Sequence, residues 1–127
     1  MPEGRLRAIC PVVPVRDVAA AADFYARHLG FETLFMTEDR SYAVVGRDGQ
    51  ALHLTGGSDE AALEATANNI SFYIETENLD ALWAKVEASA PPTRVRPPED
   101  KPWGTREFHI LDLDGALIRF GQDLDSE

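Results

Sequence analysis

Trp103 and Gly104 stand at the mouth of a predicted hairpin whose return strand carries a single charge, Arg119. From Glu107 to Leu111 the residues alternate, with Phe108 and Ile110 on one face of a predicted strand and Glu107 and His109 on the other. Asp114-Gly115 predicts a two-residue hairpin turn, because such turns need positive φ and glycine supplies it freely. Leu117 to Gly121 then return, with Ile118 and Phe120 opposed to Arg119. An aromatic beside a glycine at the mouth of a hairpin suits a ligand-cavity wall: the ring offers a stacking surface and the glycine lets a flat molecule approach the backbone. The same Trp103 could instead cap the core from a plain loop. Arg119 either pairs with a carboxylate such as Glu107 or meets polar groups of a ligand, and His53 is either a satisfied histidine of a sheet face or part of a cavity floor. Cys10 is the sole cysteine. It excludes an intrachain disulfide and a multi-cysteine zinc site, and reads as an inert buried thiol.

The elements that must position these residues follow from periodicity. Leu6 to Val15 is apolar with Pro11 and Pro14, which suggests an edge strand or a strand next to a bulge. Asp17 is an N-cap. Val18, Ala21, Ala22, Tyr25 and Leu29 then form one helix face, closed by Gly30. Phe31–Met36 and Tyr42–Val45 read as strands, Arg47-Asp48-Gly49 as a turn, and Ala51–Thr55 as the returning strand. Asp59 to Asn68 is alanine-rich and acidic, a short helix or a loop. Asn69 to Glu75 alternates as a strand, and Asn78 caps a second helix with the stripe Leu79, Leu82, Trp83, Val86 and Ala90, ended by Pro91-Pro92. Tyr73 and Trp83 read as core. Thr93 to Arg96 is a short strand and Pro97 to Pro102 a loop.

The two halves match. The helix stripes repeat at an offset of about 61 residues and the hairpins at about 66, pairing Asp48-Gly49 with Asp114-Gly115, Tyr42 with Phe108, Leu52 with Ile118 and His53 with Arg119. The expectation is one α+β domain over 1–127, with repeat 1 at about 6–57 and repeat 2 at about 69–123. Two βαβββ repeats would form a cup-shaped mixed sheet with helices on the outside. At 127 residues, 44% hydrophobic and 27% charged, the chain can bury a core without staples. A net charge of −10 repels phosphate backbones and argues against nucleic acid as a partner. No apolar run approaches a membrane span, and the first residues lack a signal-peptide core, so a cytoplasmic location is expected.

The doubled pattern resembles the vicinal oxygen chelate superfamily, also called the glyoxalase/bleomycin resistance/dioxygenase superfamily. The residues that carry the resemblance are Pro14-Val15-Arg16-Asp17-Val18, Asp23-Phe24-Tyr25 with His28-Leu29-Gly30-Phe31, Leu79 to Trp83, Pro102 to Phe108, and Asp112 to Gly115. The Pro-Trp-Gly…Arg-Glu-Phe segment, with the acidic end Asp123, Asp125 and Glu127, is similar to the bleomycin-binding branch. Enzymes of the superfamily hold a divalent metal on four side chains, and the resemblance places those positions at Cys10, His53, Asn69 and Arg119. Asn69 is a weak neutral donor and Arg119 has no lone pair to give. The resemblance therefore implies binding of a small planar or cationic, bleomycin-like molecule by sequestration, with no catalytic residue, metal or cofactor. It implies a ligand site of Trp103, Gly104, Phe35, Tyr42, Glu38, Asp39, His53, Asn69 and Arg119, and a homodimer that often exchanges an N-terminal strand. The alternatives it leaves are a metal-dependent lyase, dioxygenase or thiol transferase with a non-standard site using His53, with or without Cys10, and a binding module for an unrelated metabolite or antibiotic.

Overall fold

The computed structural model describes residues 4–125. The order is β1 (Val12–Pro14), α1 (Val18–Leu29), β2 (Glu32–Met36), β3 (Tyr42–Arg47), β4 (Gln50–Thr55), α2 (Glu60–Thr66), β5 (Ser71–Glu75), α3 (Leu79–Ala88), β6 (Val95–Asp100), β7 (Thr105–Leu111) and β8 (Leu117–Asp123). Two βαβββ units thus flank the short helix α2, which gives the α+β architecture expected. Each unit builds its own four-stranded mixed sheet, ordered β1-β4-β3-β2 and β5-β8-β7-β6. In both, the first strand runs parallel to the last and the other pairings are antiparallel.

Alternation decides which face of each sheet is covered. Ala43, Val45, Leu52 and Leu54 turn toward α1, and Phe108, Ile110, Ile118 and Phe120 lie on the same side of the second sheet, which packs on α3. The helices also touch each other, so one hydrophobic core runs through both units. Phe108 and Phe120 stack at 4.8 Å and Trp83 tilts onto Phe108 at 5.2 Å, aromatic contacts each worth about 0.5–1.5 kcal/mol beyond area burial. Among the described residues, the opposite face of each sheet carries no helix.

The caps follow local chemistry in one helix and distant chemistry in the other. Asp17 accepts from the backbone N–H of Ala20 at N3, and Gly30 closes α1 at φ 73°. Asn78 occupies the expected position before α3 but adopts φ 55° and makes no side-chain cap; Gln122 Oε1 from β8 instead accepts from Leu79 N at 2.8 Å. Ala90, placed on the α3 stripe by its spacing, lies beyond the helix, because α3 ends at Ala88.

Four further expectations are corrected. Only Val12–Pro14 of the Leu6–Val15 segment is strand, and Leu6 and Ile9 are almost fully exposed. Residues 97–100 are not loop: β6 runs on to Asp100, with Pro97 and Pro98 at the register shift between Arg96 and Glu99. An edge strand tolerates proline at such a bulge, where no ladder N–H is needed. Asn69 precedes β5, which starts at Ser71. The hairpin at Asp114-Gly115 is longer than two residues. Arg47 pairs with Gln50 across Asp48-Gly49, but Asp112 N reaches Ala116 O, leaving Leu113, Asp114 and Gly115 as the loop. Asp112 Oδ1 holds it by accepting from the N–H groups of Asp114 and Ala116. That extra residue shifts the repeat by one position: Tyr42 opposes Thr55 as Glu107 opposes Gly121, so the counterpart of Tyr42 is Glu107, not Phe108.

The junction of the units contains a buried histidine. Ser89 Oγ donates to Val86 O at 2.7 Å, so it accepts from His28 Nδ1–H at 2.8 Å. Burial, with help from Arg27, holds His28 below the ordinary 6.5, and burial lowers His109 in the same way. A lowered histidine lets the unfolded chain take up protons first. Stability is therefore complete above about pH 6.5 and declines as pH falls through that value toward the folded-state pKa values. A thermal melting series from pH 8 to pH 5 should show this decline, and His28→Asn, which keeps a donor near Nδ1 without a titrating ring, should flatten part of it. An unchanged slope in that variant would exclude His28 as a source.

Candidate functional site

On the uncovered face of the first sheet, the register aligns Phe35, Val44, His53 and Val12 in one row across four strands. Tyr42 lies in the next row, its hydroxyl 2.6 Å from His53 Nδ1 with the rings edge to face. Phe35 is 54% exposed. The turn beyond it explains the acidic pair. Asp39 is engaged: its Oδ1 accepts from Thr37 Oγ1, Ser41 N and Ser41 Oγ. Those bonds, Ser41's first, hold its carboxyl below the ordinary value. Glu38 is exposed.

The corresponding row of the second sheet is Arg96, His109, Arg119 and Tyr73. Its organiser is Glu107, in the adjoining row and with only 2% of its side chain exposed. Glu107 Oε2 accepts from Thr105 Oγ1 at 2.8 Å, Tyr73 Oη at 3.3 Å and Trp103 Nε1 at 3.4 Å. Its Oε1 meets Arg119 at 3.5 Å and stands 3.6 Å from His109 Nε2. Burial alone would raise this carboxyl, but the donors of Thr105 and Trp103 and the charge of Arg119 outweigh it and hold it below the ordinary 4.5. His109 Nε2 and Arg119 Nε are buried without a hydrogen-bond partner. The Arg119 guanidinium also lies 5.7 Å from the ring centroid of Tyr73.

Trp103 projects from the β6–β7 loop and is 64% exposed. The loop is tied by Lys101 N to Thr105 O and by Gly104 N to Lys101 O, while Gly104 takes φ 100°. A side chain at residue 104 would meet no heavy atom within 4 Å. Its glycine is thus required by the turn, and the space beside it is open. Gly121 has the opposite reason. A Cβ there would fall 1.7 Å from Tyr73 Oη, so the tyrosine lies over the glycine to reach Glu107. Gly121→Ala should displace Tyr73 and cost about 1–3 kcal/mol, the range for overpacking a filled site. Urea unfolding checks this; a loss below 0.5 kcal/mol, on the same scale, would show that Tyr73 moves freely.

The sequence-predicted residues therefore fall into two groups. Tyr42, His53 and Phe35 share one open face, and Trp103, Gly104 and Arg119 belong to the other. Among the described residues no hydrogen bond, ion pair or aromatic contact joins the two groups. Asn69 joins neither: its amide donates to Ala65 O and Ala67 O and closes the end of α2. Cys10 is half-buried, not buried, just ahead of β1. Glu127 lies outside the described residues. Sequence reasoning missed Glu107 as a centre and took Tyr73, 43% exposed, for core. The signal was present, because Tyr73 alternates with Phe72 and Ile74 and so had to face away from them.

The four superfamily metal positions do not fit a divalent ion. Arg119 brings a positive charge, committed to Glu107, and the Asn69 amide is spent on α2. Among the described residues no group of three or more His, Cys, Asp or Glu could hold a metal.

Comparison with known proteins gives the family of the chain. Residues 8–120 match the family model "Glyoxalase/Bleomycin resistance protein/Dioxygenase superfamily". A bleomycin resistance protein of Geobacillus stearothermophilus is 31% identical over 91% of this chain and 96% of its own length. The crystal structure of the Streptomyces verticillus bleomycin-binding protein complexed with copper(II)-bleomycin superposes with a TM-score of 0.76 at 27% identity, covering 93% of this chain and 97% of the other. A bleomycin resistance determinant encoded on transposon Tn5 gives 0.75 at 25% identity over 93% and 98%. The chain belongs to the glyoxalase/bleomycin resistance protein/dioxygenase superfamily.

Proposed function

We propose that this protein binds a bleomycin-type antibiotic and confers resistance by sequestration, without turnover. The carrying observation is the second sheet's open face: an exposed Trp103 stands over a buried, fully engaged carboxylate, and Arg119 is paired with that carboxylate at a position where the family resemblance implies a metal ligand in the enzymes. Trp103 and Phe35 supply stacking surfaces for planar groups, Glu38 and the overall charge of −10 attract cationic ones, and Tyr42, His53 and Arg119 floor the site. The 31% identical bleomycin resistance protein supports the same ligand class.

The reading includes a homodimer acting in the cytoplasm. The motivating features are two open faces on one chain and an apolar N-terminal arm with Leu6 90% and Ile9 94% exposed. A second copy would cover the arm and bring one chain's first face against the other's second. No helix among the described residues is long and apolar enough to cross a membrane.

Isothermal titration with bleomycin, in metal-free and copper(II) forms, tests the ligand. Saturable binding with a change in tryptophan fluorescence is the expected result; absence of both in folded protein sinks this ligand class. Size-exclusion with light scattering tests the assembly, and a stable monomer would refute it.

A further inference from the structure

We propose that Glu107 is a positioning residue of the binding face, setting the Trp103 indole and the Arg119 guanidinium before any ligand arrives. The inference rests on the binding reading above and concerns how affinity is achieved. A tryptophan that is 64% exposed on a loop has few neighbours to hold it. Here its indole N–H is directed at Glu107 Oε2, which is itself immobilised by Thr105 at 2.8 Å and Tyr73 at 3.3 Å. Gly121 makes room for that tyrosine, since any Cβ would collide with it. On the other oxygen the carboxylate faces Arg119. One buried charge therefore connects an aromatic surface to a cation on neighbouring strands. Pre-set side chains spare a complex the cost of ordering them on binding, and supporting bonds are what hold a recognition group in its working geometry.

The roles of the two oxygens predict what each substitution does. Glu107→Gln keeps the shape but removes the charge and makes one of the two atoms a donor, which cannot serve both the indole and the guanidinium. Thr105→Ala leaves the charge and loosens its seat.

The test uses the full chain with Trp83→Phe, so that Trp103 is the only fluorophore of its kind among the two tryptophans. Time-resolved fluorescence anisotropy without ligand should show a restricted indole in this background, a freely wobbling one in Glu107→Gln, and an intermediate one in Thr105→Ala. Bleomycin titration should show about tenfold weaker binding for Glu107→Gln, the loss expected for one charge-assisted hydrogen bond. In a Trp103→Ala background the same substitution should cost less than threefold, because part of its effect passes through the indole. Unchanged anisotropy in Glu107→Gln, or an equal tenfold loss with and without Trp103, overturns the proposal. Should Glu107→Gln fail to fold, Thr105→Ala decides by the same two readouts. A parent protein that does not bind bleomycin refutes the ligand reading instead, and anisotropy then decides the role of Glu107.

Discussion

Asp112→Ala should be the most damaging single change outside the hydrophobic core, costing about 3–5 kcal/mol. Asp112 is 3% exposed. One oxygen accepts from Tyr25 Oη at 2.9 Å, and the other from the backbone N–H groups of Asp114 and Ala116, each at 2.9 Å. Tyr25 is fully buried on α1, 87 residues away. Burial first, then the Asp112 charge, raises the Tyr25 hydroxyl well above its ordinary 10.0, so it remains a donor throughout the physiological range. Alanine would leave three donors without their partner and release the β7–β8 hairpin from the first unit's helix. The backbone N–H of Arg16 also donates to Asp114 Oδ1, so the start of α1 would loosen with it. Urea unfolding should show a lower midpoint with an unchanged m-value. Asp112→Asn keeps an acceptor for the two loop N–H groups and should lose roughly half as much, on the same scale. A loss below about 1 kcal/mol for Asp112→Ala, within the range of one ordinary hydrogen bond, would show that this carboxylate does not hold the two units together.

Trp103→Ala should weaken bleomycin binding at least thirtyfold, on the order of 2 kcal/mol, with little change in stability. The two parts follow from one fact: the side chain is 64% exposed in the free protein. It has little to lose in folding and a full ring face to give a ligand. Lys101 Nζ lies 6.0 Å from the ring centroid and is paired with Glu99 at 3.0 Å, so removing the ring leaves a cation that is still engaged beside the site. In a protein of net charge −10, that cation disfavours a positively charged ligand only weakly. Titration calorimetry together with a thermal melt separates affinity from folding. Binding reduced less than threefold would remove Trp103 from the ligand contact, and a melting temperature lowered as much as by Asp112→Ala would return it to a structural role.

The sequence by itself determined the repeat and, through it, the fold. Short-range chemistry sufficed for Asp17 and Gly30 at the ends of α1, for the alternation that buries Phe108 and Ile110, and for the paired helix stripes. These depend on residues within a few positions of one another, so periodicity reports them. At the four positions that the family resemblance points to, the donor types of Asn69 and Arg119 argued against a metal site before any coordinates. What sequence could not supply was set by distance in the chain or by a single-residue offset. The cap of α3 comes from Gln122, 43 residues on, and no local pattern announces it. The Asp112 turn added one residue to the second hairpin, which moved the counterpart of Tyr42 from Phe108 to Glu107; a shift of one position in a strand exchanges its faces. Tertiary structure also separated the candidate site into two open faces and gathered Tyr73, Trp103, Thr105 and Arg119 around one carboxylate. Each of those side chains is ordinary in its own segment. They become a site because β5, β7 and β8 lie side by side, where parallel and antiparallel ladders bring residues up to 46 positions apart onto one surface.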